Sequence, residues 1–426
     1  MKPELYLLED GVSREWHPFS LTRPVGEILF GTLLLRERIE RAFRGPAAGY
    51  LAPKDLEGFR EENAPPIAAG ETMSTAGPRI LLASRYLPVD SAVGEGASSL
   101  GLPVPLPGGG HRLLVGDRPA GWLLPAGAPL PGRELLEGTN GAAVPFPALQ
   151  LPGSLLETPW ALLEANPERI SLDLTHGITG ADGRARPLPE LPQVHRVGEH
   201  TVTAGEGVVL DPLVVLDTRE GPIHLGDRVH LHSFTTLRGP AFIGKGSTLL
   251  GGVFESLACG PVCRLRGEIS ATLILGYANK SHDGYIGHSL LGRWVNLGAF
   301  TTNSDLKNNY GPVRVAAPVG EIETGLLKLG VFMGDHAKTG IGTFLNAGTI
   351  VGAGSNIYGG RFPWKWIPPF GWGTADAFGP YRLEPFLATV ERAMGRRGIA
   401  LGAGERDFLA RAWGSVHAPE REREER

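Results

Sequence analysis

The sequence predicts a left-handed parallel β-helix over about residues 192–360, between an N-terminal α/β domain and a short helical tail. The main observation is a run of aliphatic residues spaced by six, namely Leu225, Leu231, Leu237, Ile243 and Leu249. Six residues is neither a helical nor a simple strand period, so the pattern indicates a repeat architecture. Each unit would form one side of a triangular coil, with its aliphatic residue pointing inward.

The same register returns later in the chain, accompanied by glycine. Leu291 and Leu297 are each followed by glycine, and every sixth position from Gly330 to Gly354 is glycine except His336. Glycine tolerates the backbone conformations that tight corners require. The chain contains 61 Gly and 36 Pro, yet glycine that recurs among aliphatic residues favours a folded, turn-rich structure over disorder.

Three parts follow from these patterns: an α/β domain over 1–187, the β-helix over 188–360, and an aromatic, proline-rich segment with a helical tail over 361–426. The repeat breaks between 303 and 326, which predicts a loop that leaves one face of the β-helix. The segment RFPWKWIPPFGWG after Gly360 is predicted not to continue the coils. The last nine residues are expected to be disordered.

Shorter patterns predict the elements outside the β-helix. Apolar runs predict strands at 5–8, 79–87 and 111–117. Apolar residues at helical spacing predict helices at 28–43, 158–170, 385–397 and 405–413. A strand, then a helix, then further strands is typical of an α/β domain.

Composition limits the classes of function. A net charge of −4 with both signs interspersed gives no general surface for nucleic acid. Cys259 and Cys263 are expected to be reduced and to fill a coil. Two cysteines are too few for a disulfide framework, and they supply only half of a zinc-binding motif. We found neither an apolar signal core nor a membrane-length apolar run, so we expect a cytoplasmic protein without a membrane partner.

The densest polar cluster lies at residues 279–312. It contains His282, Tyr285, His288, Asn296, Asn309 and Tyr310. A histidine can take a proton from an attacking amine near neutral pH, while Asn and Tyr can orient sugar hydroxyls. The alternative is that these side chains decorate a solvated face.

The motif HxxYxG at 282–287, with VNLGA at 295–299 and NYG at 309–311, resembles the acetyltransferase half of the bifunctional enzymes that make UDP-N-acetylglucosamine. Two further segments, 17–40 and 303–315, together with 356–373, resemble a divergent bacterial branch of sugar nucleotidyltransferase/acetyltransferase proteins. The resemblance implies a nucleotidyltransferase-like α/β domain followed by an acyltransferase β-helix. It also implies acetyl-CoA and an amino-sugar phosphate as substrates, and a homotrimer with its clefts between subunits.

The resemblance implies roles for individual residues. His282 would be the general base. The amino-sugar phosphate would be bound by residues that include Tyr285, Asn296, Asn309, Tyr310 and Arg314, and by Arg264 or Arg266. Acetyl-CoA would lie along Gly334, Asp335, Ala337, Lys338 and Ala353.

The N-terminal part departs from the family pattern. Typical sugar nucleotidyltransferases open with a GxGTRM loop and a catalytic Lys in PK, whereas this chain has LLEDGVSREWHPFSLTRPVGE. Gly11 and Arg23 are the candidates for nucleotide binding, and Asp10 and Asp117 are the candidates for Mg²⁺. An active uridylyltransferase domain and a binding or structural domain both remain open.

Three other functions compete with this interpretation. A zinc enzyme like the γ-class carbonic anhydrases would use imidazoles from His282, His288, His224, His230, His232 or His336, because zinc needs three converging nitrogens plus water. A non-catalytic trimeric scaffold or sugar-nucleotide sensor would need no base. A different amino-sugar acceptor would keep the acyl transfer.

Overall fold

The computed structural model describes residues 2–68, 73–89, 110–132, 146–180, 185–318 and 320–417. The charged terminus 418–426, for which disorder is predicted, lies outside the described residues. Among the residues described, there is no helix with the length and apolar character needed to span a bilayer.

The N-terminal domain is built on a mixed six-stranded sheet. In spatial order its strands are Ala47–Leu51, Glu4–Leu8, Arg79–Ala83, Arg118–Leu124, His111–Val115 and Ala148–Gln150. The first three strands are parallel, and the antiparallel hairpin of the fourth and fifth strands extends them. Helices Gly11–Arg14, Leu35–Phe43 and Trp160–Thr175, with 3₁₀ turns at Val25–Glu27 and Lys54–Leu56, complete the domain. Tyr86–Pro88 pairs with Gly153–Leu155. The predicted α/β class is confirmed.

The helix predicted over 28–43 is shorter than expected. Leu29–Phe30 and Leu33–Leu34 form an antiparallel hairpin, and the helix begins only at Leu35. Gly31 turns the hairpin with a φ of 64°, a conformation that glycine adopts without strain. The amide of Thr32 donates to the carboxylate of Asp173, 141 residues further along the chain, at 2.9 Å. This contact holds the hairpin in place of the helix that the apolar spacing predicts.

Residues 194–373 form a parallel solenoid whose strands stack coil upon coil, as predicted. One sheet is made of Arg186–Pro187, Val202–Ala204, Ile223–Leu225, Ala241–Ile243, Ala258–Cys259, Leu273–Ile274, Leu290–Leu291, Phe332–Met333, Ile350–Val351 and Trp366–Ile367. The second contains Val194–Val197, Val214–Asp217, Thr235–Arg238, Thr248–Glu255, Arg264–Ser270, Asn279–Lys280, Asn296–Leu297, Lys338–Thr339, Asn356–Ile357, Gly371–Gly373 and Phe378–Pro380. Val209–Leu210, His230–Leu231 and Tyr285–Gly287 branch from the second sheet, and Thr302–Asn303 pairs with Phe344–Leu345.

The inward column is aliphatic, as the six-residue repeat predicts. The five residues that define the repeat are fully buried in one core, which also contains Cys259 and Cys263 as free thiols. The coils are nevertheless less regular than a constant six-residue unit implies. Ala241 follows its partner Ile223 by 18 residues, whereas Leu273 follows Ala258 by only 15.

The corner positions explain the glycine register. Gly342, Gly348 and Gly354 have φ values of 67°, 75° and 69°, and His336, which replaces glycine in this series, has a φ of 60°. Each corner thus needs the left-handed region that glycine favours. His336 adopts it within a packed environment.

The predicted interruption is an arm inserted into one coil. Leu290 pairs with Phe332, a step of 42 residues, because the chain leaves the solenoid after Asn303. Arg314–Ala317 and Gly320–Glu323 form an antiparallel pair within this arm.

The prediction that RFPWKWIPPFGWG ends the coils is wrong. Trp366 and Ile367 pair with Ile350 and Val351, and the following strand continues the second sheet. Ile367 takes the buried inward position. The prolines are tolerated because they lie at the corner before Phe370, which has a φ of 52°.

The three parts of the chain pack against one another. Ala258, Leu273, Leu290, Phe332 and Ile350 lie on the outer side of the first sheet and share a buried cluster with residues of the N-terminal domain. Helices Leu383–Gly395 and Ala403–His417 pack on Phe370 and on residues 56–59. Asn279, Asn296 and Lys338 on the second sheet keep partly exposed side chains, and Asn309 and Tyr310 of the inserted arm are exposed.

Candidate functional site

The residues of the HxxYxG motif lie on one coil beside the inserted arm. His282 is exposed in the turn between Asn279–Lys280 and Tyr285–Gly287. The imidazole of His282 is therefore accessible to solvent.

Tyr285, His288 and Asp305 form a hydrogen-bonded cluster. The carboxylate Oδ2 of Asp305 accepts from the hydroxyl of Tyr285 at 2.6 Å and lies 2.7 Å from Nδ1 of His288. The hydroxyl of Tyr285 is also 3.0 Å from Oγ of Ser270. Burial would raise the pKa of Asp305, but the hydrogen bonds from His288 and Tyr285 outweigh it and lower that pKa. Burial, helped by the bond to Asp305, raises the pKa of Tyr285, so this phenol stays neutral.

Asp305 is a candidate site residue that the sequence interpretation missed. It lies in the segment NSDLK, where the six-residue repeat has already broken, and nothing in its spacing distinguishes it from other acidic residues. It lies at the start of the inserted arm, directly beside a coil rich in His and Tyr. This position was the one feature that could have indicated a contact with those side chains.

A second set of polar side chains forms a ladder on the outer side of the second sheet. Nδ2 of Asn279 donates to Oδ1 of Asn296 at 2.9 Å, and Oγ of Ser281 donates to Oδ1 of Asn279 at 2.7 Å. Asn296 pairs in register with Lys338 on the next coil. Burial lowers the pKa of Lys338 to about 8. Together these groups offer amide and ammonium donors along a line across neighbouring coils.

Lys280 points into the solenoid, which the sequence interpretation did not anticipate. It pairs in register with Leu265 of the preceding coil, and the residue is 2% exposed. Its Nζ donates to the carbonyl oxygens of Arg266 at 3.2 Å and of His282 at 2.6 Å. Burial lowers the pKa of Lys280 to about 8. A buried ammonium group therefore fixes the backbone of the turn that presents His282.

The remaining predicted phosphate ligands lie on the surface but are dispersed. Tyr310 is 73% exposed, and Oδ1 of Asn309 accepts from the amide of Gly311 in the inserted arm. Arg314 is paired with Glu323 at 2.6 Å within the same arm. Arg266 is paired with Asp283 at 3.0 Å. Arg264 is exposed and pairs in register with Asn279 of the ladder.

Most residues assigned to acetyl-CoA are not available to it. Ala337 and Ala353 are fully buried, and a side chain at position 334 would collide with the backbone of Ala353 and Pro18. Asp335 is 4% exposed and serves the contact between domains instead. Among these five residues, Lys338 alone stays half-buried on the ladder, where it can contact a ligand.

Arg23, assigned to nucleotide binding, is also part of this contact between domains. Its guanidinium lies 2.9 Å from Asp335 and 2.8 Å from Glu61, and it is 1% exposed. Both carboxylates, with Thr22 and Arg293, line a cavity of about 300 Å³ where the N-terminal domain, the solenoid and the tail meet. Arg23 is therefore committed to two carboxylates rather than open to a phosphate.

The proposed magnesium ligands do not converge. Asp10 caps the short helix that begins at Gly11, accepts from the amide of Ser13 at 2.9 Å and pairs with Arg85 at 2.8 Å. Asp117 is exposed in a turn between two strands. Asp10 lines a cavity of about 220 Å³ with Arg118 and Glu157, at the carboxyl ends of the first parallel strands. Ligands of open α/β sheets bind at such an edge.

Of the imidazoles named for the carbonic anhydrase interpretation, only His230 and His232 lie side by side in the described part of the chain. His224 is fully buried against Phe242, and its burial lowers its pKa to about 4. His336 is buried at its corner. Within the described parts of the chain, neither His282 nor His288 belongs to a group of three possible metal ligands.

Comparison with known proteins gives a family match in the N-terminal part of the chain. Residues 5–179 match the family model of sugar nucleotidyl transferases. A stretch of 93 residues is 33% identical to a bifunctional sugar-1-phosphate nucleotidylyltransferase/acetyltransferase of Sulfurisphaera tokodaii, and covers 22% of this chain and 23% of that protein. A stretch of 128 residues is 28% identical to the bifunctional protein GlmU of Methanocaldococcus jannaschii, and covers 30% of this chain and 26% of that protein.

The chain thus aligns with about a quarter of the length of these relatives. The solved structure of the polysialic acid O-acetyltransferase OatWY aligns with 44% of this chain and 86% of that chain, at 14% identity and a TM-score of 0.21. The resemblance predicted from the motifs is confirmed: residues 5–179 match the sugar nucleotidyl transferase model, and the chain is similar, over part of its length, to bifunctional nucleotidylyltransferase/acetyltransferase proteins.

Proposed function

We propose that the solenoid transfers an acetyl group from acetyl-CoA to the amine of an amino-sugar phosphate, with glucosamine-1-phosphate as the first candidate. The observation that carries the proposal is the position of the HxxYxG residues. An exposed imidazole, a tyrosine hydroxyl held by Asp305 and the Asn279–Asn296 ladder all border one turn of one coil. The similarity to bifunctional acetyltransferases supports this chemistry.

The proposed reaction is direct attack by the amine on the thioester carbonyl. The C–N bond forms, the C–S bond breaks, the amine proton passes to a base, and the thiolate leaves. His282 is proposed as this base because its imidazole is exposed beside the ladder. An imidazole has the pKa range that suits proton transfer near neutral pH.

The neutral phenol of Tyr285 and the amides of the ladder are proposed to bind the amino-sugar phosphate. Lys338 is proposed to attract the negatively charged part of either substrate. Asn309, Tyr310 and Arg314 lie on the inserted arm and would reach the substrate from that side. We also propose a cytoplasmic homotrimer, in which a neighbouring solenoid would complete the cleft over the exposed face.

A second candidate function is uridylyl transfer to the sugar phosphate by the N-terminal domain, with UTP as the co-substrate and Mg²⁺ as the cofactor. The match to the sugar nucleotidyl transferase model favours it. The cavity that Asp10, Arg118 and Glu157 line would be the site, since it opens at the carboxyl edge of the sheet. Against it stands the use of Arg23 and Asp10 in buried ion pairs.

One assay tests both candidates in order. Purified protein is incubated with glucosamine-1-phosphate and acetyl-CoA, then with UTP and Mg²⁺, and the products are identified by mass spectrometry. A mass gain of one acetyl group supports acyl transfer, and pyrophosphate release supports uridylyl transfer. Acetyl-CoA binding without turnover of any amino-sugar phosphate would favour the scaffold interpretation instead.

A further inference from the structure

Two histidines and one aspartate converge at the N-terminal end of the solenoid, away from the HxxYxG coil. Asp211, His230 and His232 place one possible ligand atom each within 4.8 Å of one another, and in the described part of the chain they are the one such group. The proposed acyltransferase and uridylyltransferase sites use none of the three, although His230 and His232 are among the imidazoles considered for a carbonic anhydrase.

The fold brings these residues together through the strand register. Leu210 pairs with Leu231 on the next coil, and both leucines point into the core. Neighbours of an inward residue on a strand project outward, so His230 and His232 share the outer side. The amide of Asp211 donates to the carbonyl of Leu231 at 2.9 Å, which sets its carboxylate beside both rings.

The distances suit a small cation. Oδ1 of Asp211 lies 2.9 Å from Nε2 of His230, and Oδ2 lies 3.5 Å from Nδ1 of His232. Ligand atoms about 2.0–2.1 Å from a tetrahedral zinc ion are about 3.3–3.4 Å apart. The two observed separations bracket that value but involve different oxygens of Asp211, and the shorter one is a hydrogen bond to His230. Rotation of the carboxylate would therefore have to bring one oxygen and both nitrogens around the ion.

The arrangement of the two imidazole rings also favours a shared cation. The two imidazoles stack with their centroids 4.2 Å apart and their planes 24° from parallel. The three side chains are 30–41% exposed, which leaves room for a water molecule or another ligand in a fourth position.

We propose that Asp211, His230 and His232 bind one divalent transition-metal ion, with zinc preferred. Two neutral imidazole nitrogens and one carboxylate oxygen are the donor set that zinc and its first-row neighbours accept, whereas Mg²⁺ and Ca²⁺ favour oxygen alone. Three protein ligands leave one coordination position open.

This site is separate from the proposed acyltransferase site. His230 is followed in register by Thr248, Arg264 and then Asn279 of the ladder. Three coil steps of about 4.8 Å separate the two by about 14 Å. The metal would therefore act on a different group or hold the first coils together, and the proposal does not rest on acyl transfer.

The test is metal binding to the full chain after removal of metal with a chelator. Zinc is added and bound metal is counted by mass spectrometry after desalting, while Co²⁺ serves as a visible-absorption probe. We expect one equivalent in the wild type, and at least a 100-fold loss of affinity in Asp211→Asn and His232→Gln. His200→Ala removes an exposed histidine from the same end of the solenoid and should bind like the wild type.

Two results would overturn the proposal: less than a tenth of an equivalent in the wild type, or equal binding by the wild type and His232→Gln. Circular dichroism of each variant establishes that the solenoid has folded. A rise in melting temperature on addition of zinc, seen in the wild type and in His200→Ala but absent from both ligand variants, gives an independent readout.

Discussion

His288 and Asp305 form a hydrogen-bonded pair where the inserted arm leaves the solenoid, with 2.7 Å between Nδ1 and Oδ2. The same oxygen accepts from the hydroxyl of Tyr285. A carboxylate that orients an imidazole is the arrangement found behind many catalytic bases, so His288 competes with His282 for that role. Alternatively, the pair holds Tyr285 in position for the sugar.

Substitution of Asp305 distinguishes the two roles. If the pair positions Tyr285, Asp305→Asn should raise KM for the amino-sugar phosphate about 10-fold and leave kcat within about threefold, because a binding contact is lost. Steady-state kinetics with saturating acetyl-CoA measure both constants. A fall of kcat by two orders of magnitude at unchanged KM would transfer the role of base to His288.

His282→Ala should lower kcat for acetyl transfer by about 10²–10⁴-fold, which is the usual contribution of a positioned general base. The fold should survive because the side chain is exposed. His195→Ala, an exposed histidine near the start of the solenoid, is the matched control and should retain full turnover. Unchanged turnover in His282→Ala would remove the assignment.

Lys280→Met should stabilise the protein at neutral pH. Burial lowers the pKa of Lys280 from 10.5 to about 8, so the folded state disfavours the ammonium group. The cost is complete below pH 8 and fades as pH rises towards 10.5, where the unfolded chain also loses the proton. The shift corresponds to at most about 3 kcal/mol, reduced by the loss of two hydrogen bonds to carbonyl oxygens.

Denaturant unfolding at pH 7 and at pH 10 measures this difference, with the exposed Lys54→Met as control. Acetyl transfer should fall in the same variant, because the carbonyl of His282 loses its partner. A variant that is less stable at both pH values would show that the hydrogen bonds outweigh the desolvation of the charge.

The sequence predicts the solenoid better than it predicts the site, and Lys280 shows why. Inward positions such as Leu249 repeat a simple rule, since each side of a coil must bury one aliphatic residue. Lys280 breaks that rule, and its two acceptors become visible only when the coils are stacked. Likewise, Arg23 and Asp335 are 312 residues apart, so no local pattern links them. Arg23 was assigned to a nucleotide and Asp335 to acetyl-CoA. Neither assignment indicates that the two side chains form an ion pair with each other.

The stability of the N-terminal domain should decrease as pH rises through neutrality because of Glu9. Burial raises the pKa of Glu9 from 4.5 to about 7, so the folded state holds its proton longer than the unfolded state does. The contribution is complete below pH 4.5 and is lost as pH rises through 7, with a limit of about 3 kcal/mol.

Glu9→Gln carries no titratable proton and should remove this part of the pH dependence. Unfolding free energies between pH 5 and pH 8 measure it, with the exposed Glu190→Gln as control. A constant difference between the wild type and Glu9→Gln over this range would contradict the assignment.

Arg23→Ala should destabilise the whole chain by about 3–5 kcal/mol, because it leaves the buried carboxylate of Asp335 without its cationic partner, while Glu61 keeps only its pair with Arg293. Denaturant unfolding measures this, and the control is Arg219→Ala, which breaks a pair with Asp217 in which the arginine side chain is 64% exposed. A surface pair of that kind contributes about 0–1 kcal/mol.

The same variant tests the original nucleotide-binding assignment of Arg23. If Arg23 has only a structural role, Arg23→Ala should release pyrophosphate from UTP at the same rate as the wild type, provided that it is assayed under conditions in which it stays folded. Arg23→Ala could instead lose that activity while being destabilised by less than about 1 kcal/mol. This result would mean that the guanidinium of Arg23 moves away from Asp335 and binds a phosphate. The contact between the domains would then change when nucleotide binds, and the two domains could not act independently.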